Sequence, residues 1–551
     1  MVGRPTEVEL KLGITPENIV ALRNYPGFAD SLQAPSREIL DSVYFDSDER
    51  FLRNHGLTLR VRHVDEKRVQ TIKSADRGVG LFERSEWEQT IEGNEPDLSG
   101  VRERNTDLGR ILNDDVCKEL KPVFETRIER TAYHLNGNGA DIIMAIDEGQ
   151  ILAADSSQAV SEIELELKEG KPADLFRVAR DILNIVPAHL EFKSKPERGY
   201  GLVEKTPVVA EIACDPELTA GMSAGRAFTL VGRACLRHLV ANVPAMIGLD
   251  GTALHQMRVA LRRLRAAMSL FSLITGDDRA VAIKTELRWL AQELGPARDL
   301  DTLILEVIKP MRDQHRNEHG FVSISKMFTR KRLKCYRRAQ AAVQSARFSA
   351  LVLDTAEWIE AGPWSTSEDA LKRARREMPI ELFAADLLSN RCKRIRRRGR
   401  RLNDLDPEQL HRLRIQVKKA RYATDFFSSV YHGKKSAKQS KKIRSSLMQL
   451  QNSLGGLNDI ATHKALFSEI ITSRAKGLTE EQSRHRAFAA GLIIGNQQAQ
   501  IQKLRDRARK AYSRFDGAKA FWKLPARSTV ATPELQNSLR EMLPGLGRRP
   551  G

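Results

Sequence analysis

The sequence predicts a multi-domain α+β chain: an N-terminal antiparallel β tunnel or barrel with flanking helices, then an all-α region. Three observations predict it. Several N-terminal segments carry charged side chains at every second position, the apolar period turns helical from about residue 224, and one helical stretch recurs 156 residues on, from His255 to His411.

The first element is residues 7–11, EVELK. Successive side chains of a strand point to opposite faces, so Glu7, Glu9 and Lys11 share one face while Val8, Leu10 and Leu12 share the other. A short helix is expected over 16–25. Further strands follow: LTLRVR (57–62) sets Arg60 beside Arg62, QTIK ends in Lys73, and RSEWEQT alternates Arg84, Glu86 and Glu88. SEIELELK (161–168) sets Glu162, Glu164, Glu166 and Lys168 against Ile163, Leu165 and Leu167, and a second helix is expected over 173–183. One such strand reads as a solvated charged surface. A series of them reads as the inner wall of a closed barrel, where carboxylates gather cations and Arg and Lys gather phosphate.

Nine motifs stand in order: EVELK, YFD (44–46), LRVR, QTIK, RSEWE, ERTAY from Glu129, IDEG (146–149), SEIELELK, and KSKPERGY ending at Tyr200. Over about residues 1–204 they resemble the CYTH superfamily, also called triphosphate tunnel metalloenzymes. The resemblance implies a tunnel of about eight antiparallel strands that hydrolyses or cyclises triphosphate compounds with Mg2+ or Mn2+. It implies that Lys11, Arg60, Arg62, Lys73, Arg130 and Lys195 hold phosphate oxygens, since guanidinium and ammonium groups match them. Glu7, Glu9, Asp147, Glu162 and Glu164 would hold the hard divalent cation, with Glu86 in the catalytic set and Glu88 and Glu166 beside it. ERTAY selects Arg130 over Arg127, and KSK, read as strand with Lys193 and Lys195 able to share one face, selects Lys195 over Lys193.

Residues 205–222 read as a linker, 223–520 as the helical region and 521–551 as a tail. HQMRVALRRLRAAMSLF (255–271) and HRLRIQVKKARYATDFF (411–427) repeat one pattern, followed by LAQELGPARDLDTL and LQNSLGGLNDIATH, which align Gly295 with Gly455 and Asp299 with Asp459. This is an internal duplication of a helical unit. His255, Arg258, Arg262 and Arg265 fall on one helix face, as do His411, Arg414, Lys418 and Arg421; Arg263 and Lys419 accompany them. Like charges so stacked repel unless an anion bridges them. The repeat resembles the CHAD domain (conserved histidine α-helical domain), which implies two pseudo-symmetric helical bundles and polyphosphate binding. Lys418 and Lys419 replace the arginine pair of the first copy and Asn458 replaces Arg298, so at the replaced pair the second face keeps its charge but loses the bidentate fork.

Charge is divided unevenly. Residues 1–205 hold 28 Lys and Arg against 38 Asp and Glu, and the remainder hold 62 against 33, so the excess behind the net +19 belongs to the helical part. Such a surface attracts polyanions. With 6% aromatics there is little for stacking single-stranded bases, which ranks nucleic acid below polyphosphate as a partner. Protein partners are not indicated. The basic runs 391–401 and 434–442 extend a polyphosphate track, bind nucleic acid or are merely solvated. Five cysteines without C-x-x-C spacing, no signal-like start and no long apolar stretch predict a soluble cytoplasmic protein without membrane insertion, with association to polyphosphate granules a further expectation.

The reading drawn from this is a metal-dependent hydrolase of inorganic triphosphate (tripolyphosphate), releasing pyrophosphate and phosphate, fused to a polyphosphate-binding module. The alternatives are a polyphosphate-binding protein with little or no hydrolysis, or another CYTH activity, thiamine triphosphatase or adenylate cyclase. Trp87 is the candidate platform for thiamine.

Overall fold

The structure, a computed structural model, describes residues 6–24, 35–64, 67–74, 81–104, 108, 111–137, 139–472 and 478–522. The chain divides into two compact units. Met1–Glu211, Leu239–Asp250 and Ala342–Gly362 form the first; Ile212–His238, Gly251–Ala341 and Pro363–Gly551 form the second.

The first unit is built on nine strands: β1 (Thr6–Ile14), β2 (Ser36–Asp46), β3 (Leu57–Val64), β4 (Lys67–Ser74), β5 (Leu81–Ile91), β6 (Lys121–Gly137), β7 (Ala140–Ala153), β8 (Ser156–Glu169) and β9 (Ala188–Leu190). Their order is β5-β4-β3-β2-β6-β7-β8-β1-β9, and an additional β5–β1 pairing closes eight of them into an antiparallel barrel. Short β9 pairs only with the end of β1, from Leu12 to Ile14. Closure abolishes the exposed edges that an open sheet would carry.

Alternation decides what faces where. In β1 and β8 the apolar side chains Leu10, Leu12, Ile163 and Leu165 are fully buried, and helix α2 (Pro172–Ile185) packs on the same two strands. Each such side chain contributes about 1.5–3 kcal/mol. The helix Ala346–Ala361 packs in turn on α2 and β9, with Arg180 donating to Asp354 at 2.7 Å and to Glu357 at 2.5 Å. A second apolar layer, including Phe45, Leu59, Val61 and Ile72, backs β2 to β4.

Local signals set the helix starts. Thr15 caps α1 (Pro16–Arg23), where Pro16 occupies the first turn. KSKPERGY does not continue as a strand: Ser194 and Glu197 form a capping box, Pro196 sits in the first turn, and α3 spans Lys195–Val203. Lys195 therefore projects from a helix N-terminus.

The second unit is helical. Its main helices are α4 (Gly251–Leu270), α5 (Asp278–Leu303), α6 (His319–Val343), α7 (Ile380–Gly399), α8 (Pro407–Phe427), α9 (Lys434–Thr472) and α10 (Glu480–Asp516). The duplicated stretches are α4 and α8, each followed by a long helix carrying the second shared motif, α5 and α9. The equivalent residues Phe271 and Phe427 meet edge to face with ring centroids 5.8 Å apart, so the two copies touch through matching side chains. No helix among the described residues is long and apolar enough to cross a membrane.

Candidate functional site

The charged strand faces point into the barrel. The apolar side chains of β1 and β8 pack outward under α2, which turns Glu9, Lys11, Glu162 and Glu164 inward, and Arg62 of β3 lies near enough to Arg130 of β6 and Asp147 of β7, strands it does not pair with, to be perturbed by both. Glu9 and Lys11 are 4% exposed, and Asp147 and Glu162 are 0% exposed, although all four carry ionisable side chains. Burying charge is tolerated only when it is paired.

Pairing is dense at one wall. β1 and β8 set Lys11 opposite Glu164, and β7 and β8 set Asp147 opposite Glu162. Carboxylate oxygens of Asp147, Glu162 and Glu164 converge to within 4.8 Å of one another. Lys195 reaches into them from α3, with Nζ 2.6 Å from Asp147, 2.5 Å from Glu162 and 3.0 Å from Glu164. Arg130 forks onto Asp147 through two bonds of 2.7 Å and also donates to Glu164. Lys11 donates to Glu164 and lies 3.4 Å from Glu9, and Arg198 donates to Glu162.

Burial opposes ionisation of these groups, and their neighbours overcome it. Burial pushes the Glu164 carboxyl up, but Lys11, Lys195 and Arg130 hold it well below the usual range; against burial and the neighbouring Glu164, Lys195 and Arg130 also lower Asp147. Burial pulls Lys195 down, yet Asp147, Glu162 and Glu164 raise it above an ordinary lysine.

The opposite wall is cationic. Arg60 and Arg62 of β3 lie beside Tyr44 of β2. Burial first, then Arg60 and Arg130, pull Arg62 down to about 10, and its Nε donates only to the Ser42 hydroxyl at 3.2 Å. A guanidinium crowded by two others is one that an anion would relieve. Lys73 of β4 sits 3.1 Å from Glu86 of β5, which is 4.0 Å from Arg60. The structure thus brings Glu9, Lys11, Arg60, Arg62, Lys73, Glu86, Arg130, Asp147, Glu162, Glu164 and Lys195 to one lumen. Glu7 lies on β1, but its side chain is outside the described residues. Glu88 and Arg127 are exposed, and Lys193 pairs with Glu211 at 3.5 Å. Trp87, opposite in alternation to Glu86, packs on the outer apolar layer and offers the lumen no platform.

Two lumen residues escaped the sequence reading. Arg198 follows Lys195 by three positions, the spacing of one helix face, but is invisible as such when KSK is read as a strand. Tyr44 stood within the YFD motif without a role. Asp46 of the same motif is structural: it accepts from the backbone of Ser47, Leu52 and Arg53 and from the Tyr200 hydroxyl at 2.7 Å.

In the second unit the two basic helix faces meet. Lys418 of α8 lies among Arg262, Arg414, Arg265 and Lys419; burial first, then these cations, pull it down to about 8. Lys419 donates to Ser269 at 3.1 Å and faces Arg391, Lys284 and Arg265, so the run beginning at Arg391 adjoins this face. His255 is pulled down to about 4 by burial and by Arg298, Arg262 and Arg258, and is neutral at pH 7. At the matching position His411 bonds Asn458 at 3.2 Å, so the Arg298-to-Asn458 replacement falls on the histidine's partner. Arg258 reaches Asp299 at 3.2 Å; a Cβ on Gly295 would come within 2.8 Å of its guanidinium, which accounts for a glycine at that place. Arg263 and Arg421 belong elsewhere. Arg263, with its side chain 8% exposed, pairs with Asp215 and covers the Phe426 ring, and Arg421 pairs with buried Asp425 at 2.8 Å.

The chain thus combines a closed antiparallel barrel, with facing carboxylate and guanidinium walls, and a duplicated basic helical unit. Residues 5–200 match the family model of the CYTH domain and residues 231–468 that of the CHAD domain, and the chain carries both in tandem. It is 30% identical over 202 residues to the inorganic triphosphatase of Haemophilus influenzae, a match covering 36% of this chain and 55% of that one. The chain thus spans about half the length of the curated relative it matches. Among solved structures it is similar to the CHAD domain from the plant Ricinus communis, at 26% identity and a TM-score of 0.47, over 57% of this chain and 98% of that one. It is also similar to a Hippeastrum protein described as having a dominant triphosphatase activity, at 19% identity and a TM-score of 0.27, over 35% of this chain and 95% of that one.

Proposed function

We propose that the barrel hydrolyses a terminal phosphoanhydride bond of inorganic triphosphate, releasing pyrophosphate and phosphate, and that the basic face of the helical unit binds polyphosphate. The observation that carries the first part is Arg60, Arg62 and Arg130 clustered in a lumen next to three convergent carboxylates. A triphosphate brings several negative charges, and preorganised guanidinium groups stabilise those charges without reorganising during the reaction. The name of the Haemophilus influenzae relative supports the choice of the inorganic chain.

The donor set fits Mg2+ or Mn2+: Asp147, Glu162 and Glu164 offer only hard oxygen atoms, and the Lys195 ammonium drawn among them marks the point where positive charge is most favoured. Bound there, with Glu9 and Glu7 as further ligands, the cation would neutralise the substrate and activate the attacking water. Asp147 and Glu164, held ionised, serve to bind positive charge rather than to accept a proton. Arg60, Arg62, Arg130, Lys11 and Lys73 would orient the phosphate chain, and Arg130 would link the two walls. Water adds at the terminal phosphorus, the bridging oxygen leaves with its electron pair as pyrophosphate, and the water's proton is released.

A second reading is favoured by Lys195 itself, because an ammonium that already balances the carboxylates leaves them less need of a metal: a tunnel that grips polyphosphate without turnover. The discriminating experiment measures phosphate release from inorganic triphosphate with and without Mg2+ or Mn2+, beside ATP and thiamine triphosphate. Metal-dependent turnover of the inorganic chain is expected. Folded protein that turns over none of the three would overturn the hydrolase and leave the binding reading.

A further inference from the structure

On α6 the cations other than Arg337 fall into two groups. Arg332 is committed to Asp301 at 2.5 Å and stacks over Tyr336, and Arg338 is committed to Glu293. Lys326, Arg330, Lys331 and Lys334 face the other way, into a cleft of about 420 Å³ that Arg486 of α10 completes. Among the described residues no carboxylate lies within ion-pair distance of any of these five. The acids nearest in sequence, Glu318 and Glu481, lie 3.9 Å from His485.

The packing holds this arrangement in place. Phe321, Ile324 and Phe328 are buried in the core that α6 shares with α10, which fixes the rotation of α6. Gly320 seats the helices closely, since a Cβ there would fall 2.0 Å from the His485 carbonyl oxygen. Arg486 is positioned by two bonds to the Ser323 hydroxyl, of 3.1 and 2.8 Å, and burial lowers its pKa. Lys326, Arg330 and Lys334 stand four residues apart, a spacing at which like charges destabilise a helix when nothing bridges them.

The geometry points to this cleft as a second phosphate-chain site on the helical unit, separate from the α4 and α8 faces and taking inorganic polyphosphate. The inference rests on the reading of that unit as a polyphosphate binder. From Ser323 to Lys334 the basic edge of α6 runs about 16 Å at 1.5 Å per residue, longer than one phosphate needs and suited to several in a row. No aromatic side chain lines the cleft, so it offers nucleic-acid bases nothing to stack on.

The test uses the full chain and long-chain inorganic polyphosphate, followed by calorimetry over a series of salt concentrations. One variant carries Lys326→Ala, Arg330→Ala and Lys334→Ala, all exposed helix positions; a second carries Arg262→Ala and Lys418→Ala on the repeat face. The triple variant should keep its helicity, bind fewer chain equivalents, and lose about three from the salt slope, one for each phosphate contact removed. Wild-type stoichiometry and slope in the triple variant, with binding lost in the double variant, would sink the cleft and leave the repeat-face reading standing. If wild type binds no polyphosphate, both readings fall. Single-stranded DNA that binds wild type, is lost from the triple variant and resists displacement by polyphosphate would overturn the ligand class.

Discussion

Lys195→Met tests the electrostatics of the tunnel most directly. In the wild type one ammonium serves three buried carboxylates at 2.5 to 3.0 Å, and the substitution removes the charge while keeping the length of the side chain. Breaking a buried ion pair costs about 3–5 kcal/mol. Arg130 still serves Asp147 and Glu164, Arg198 still serves Glu162, and Lys11 still serves Glu164, so the loss should lie near the lower figure, about 3 kcal/mol. Against a typical stability of about 5–15 kcal/mol, that is a large fraction. A divalent cation can take the vacated charge position: at a hundredfold excess over its Kd it returns about 2.7 kcal/mol. Amide hydrogen exchange across β7 and β8, read by mass spectrometry in chelator and in Mn2+, isolates the barrel from the helical unit. The variant should exchange faster than wild type in chelator and recover with Mn2+, gaining more protection from the ion than wild type, where the ammonium must first be displaced. Equal exchange of the two proteins in chelator, or equal gains from Mn2+, would refute both the charge balance and the metal position drawn from it.

Three further outcomes are expected. Arg62→Ala should lower kcat/KM for inorganic triphosphate about ten- to a hundredfold, the loss of one hydrogen bond to a charged group of about 1.5–3 kcal/mol, while β6 and β7 exchange stays near wild type. Polyphosphate affinity should fall above pH 8: free Lys418 loses its proton through about 8, an anion needs it charged, and each pH unit above that value then costs about tenfold, whereas Lys418→Met should be flat there. Gly199→Ala should destabilise the barrel by about 1–3 kcal/mol or more, because its Cβ would fall 2.3 Å from the Phe124 ring, which cannot swing away as a flexible chain end could; denaturant melts of barrel exchange would measure it.

Alternation made much of the tunnel legible. Glu9 with Lys11, Arg60 with Arg62, and Glu162 with Glu164 are neighbours on single strands, and a period of two needs no knowledge of the fold. What lay outside it was the component supplied by a helix. Lys195 and Arg198 enter the lumen because Ser194 and Glu197 cap α3, a local signal present in KSKPERGY but outweighed by the strands before it. The duplication was legible for a similar reason, since His255 and His411 lead the same pattern. Face membership alone, however, did not distinguish solvent from interior.

Period and composition alone reveal which side chains share a strand or helix face, that one helical unit occurs twice, and that acidic and basic character are divided along the chain. Those properties depend on period and composition, which are local. Where each charge goes depends on the folded arrangement: Arg263 and Arg421 are taken by Asp215 and Asp425, Lys418 is left among Arg262, Arg265 and Arg414, and Lys195 is drawn among three carboxylates. Most of these partners lie tens of residues or more apart. Their pairing is set by how strands close and helices pack, and burial then raises the cost of any charge left alone.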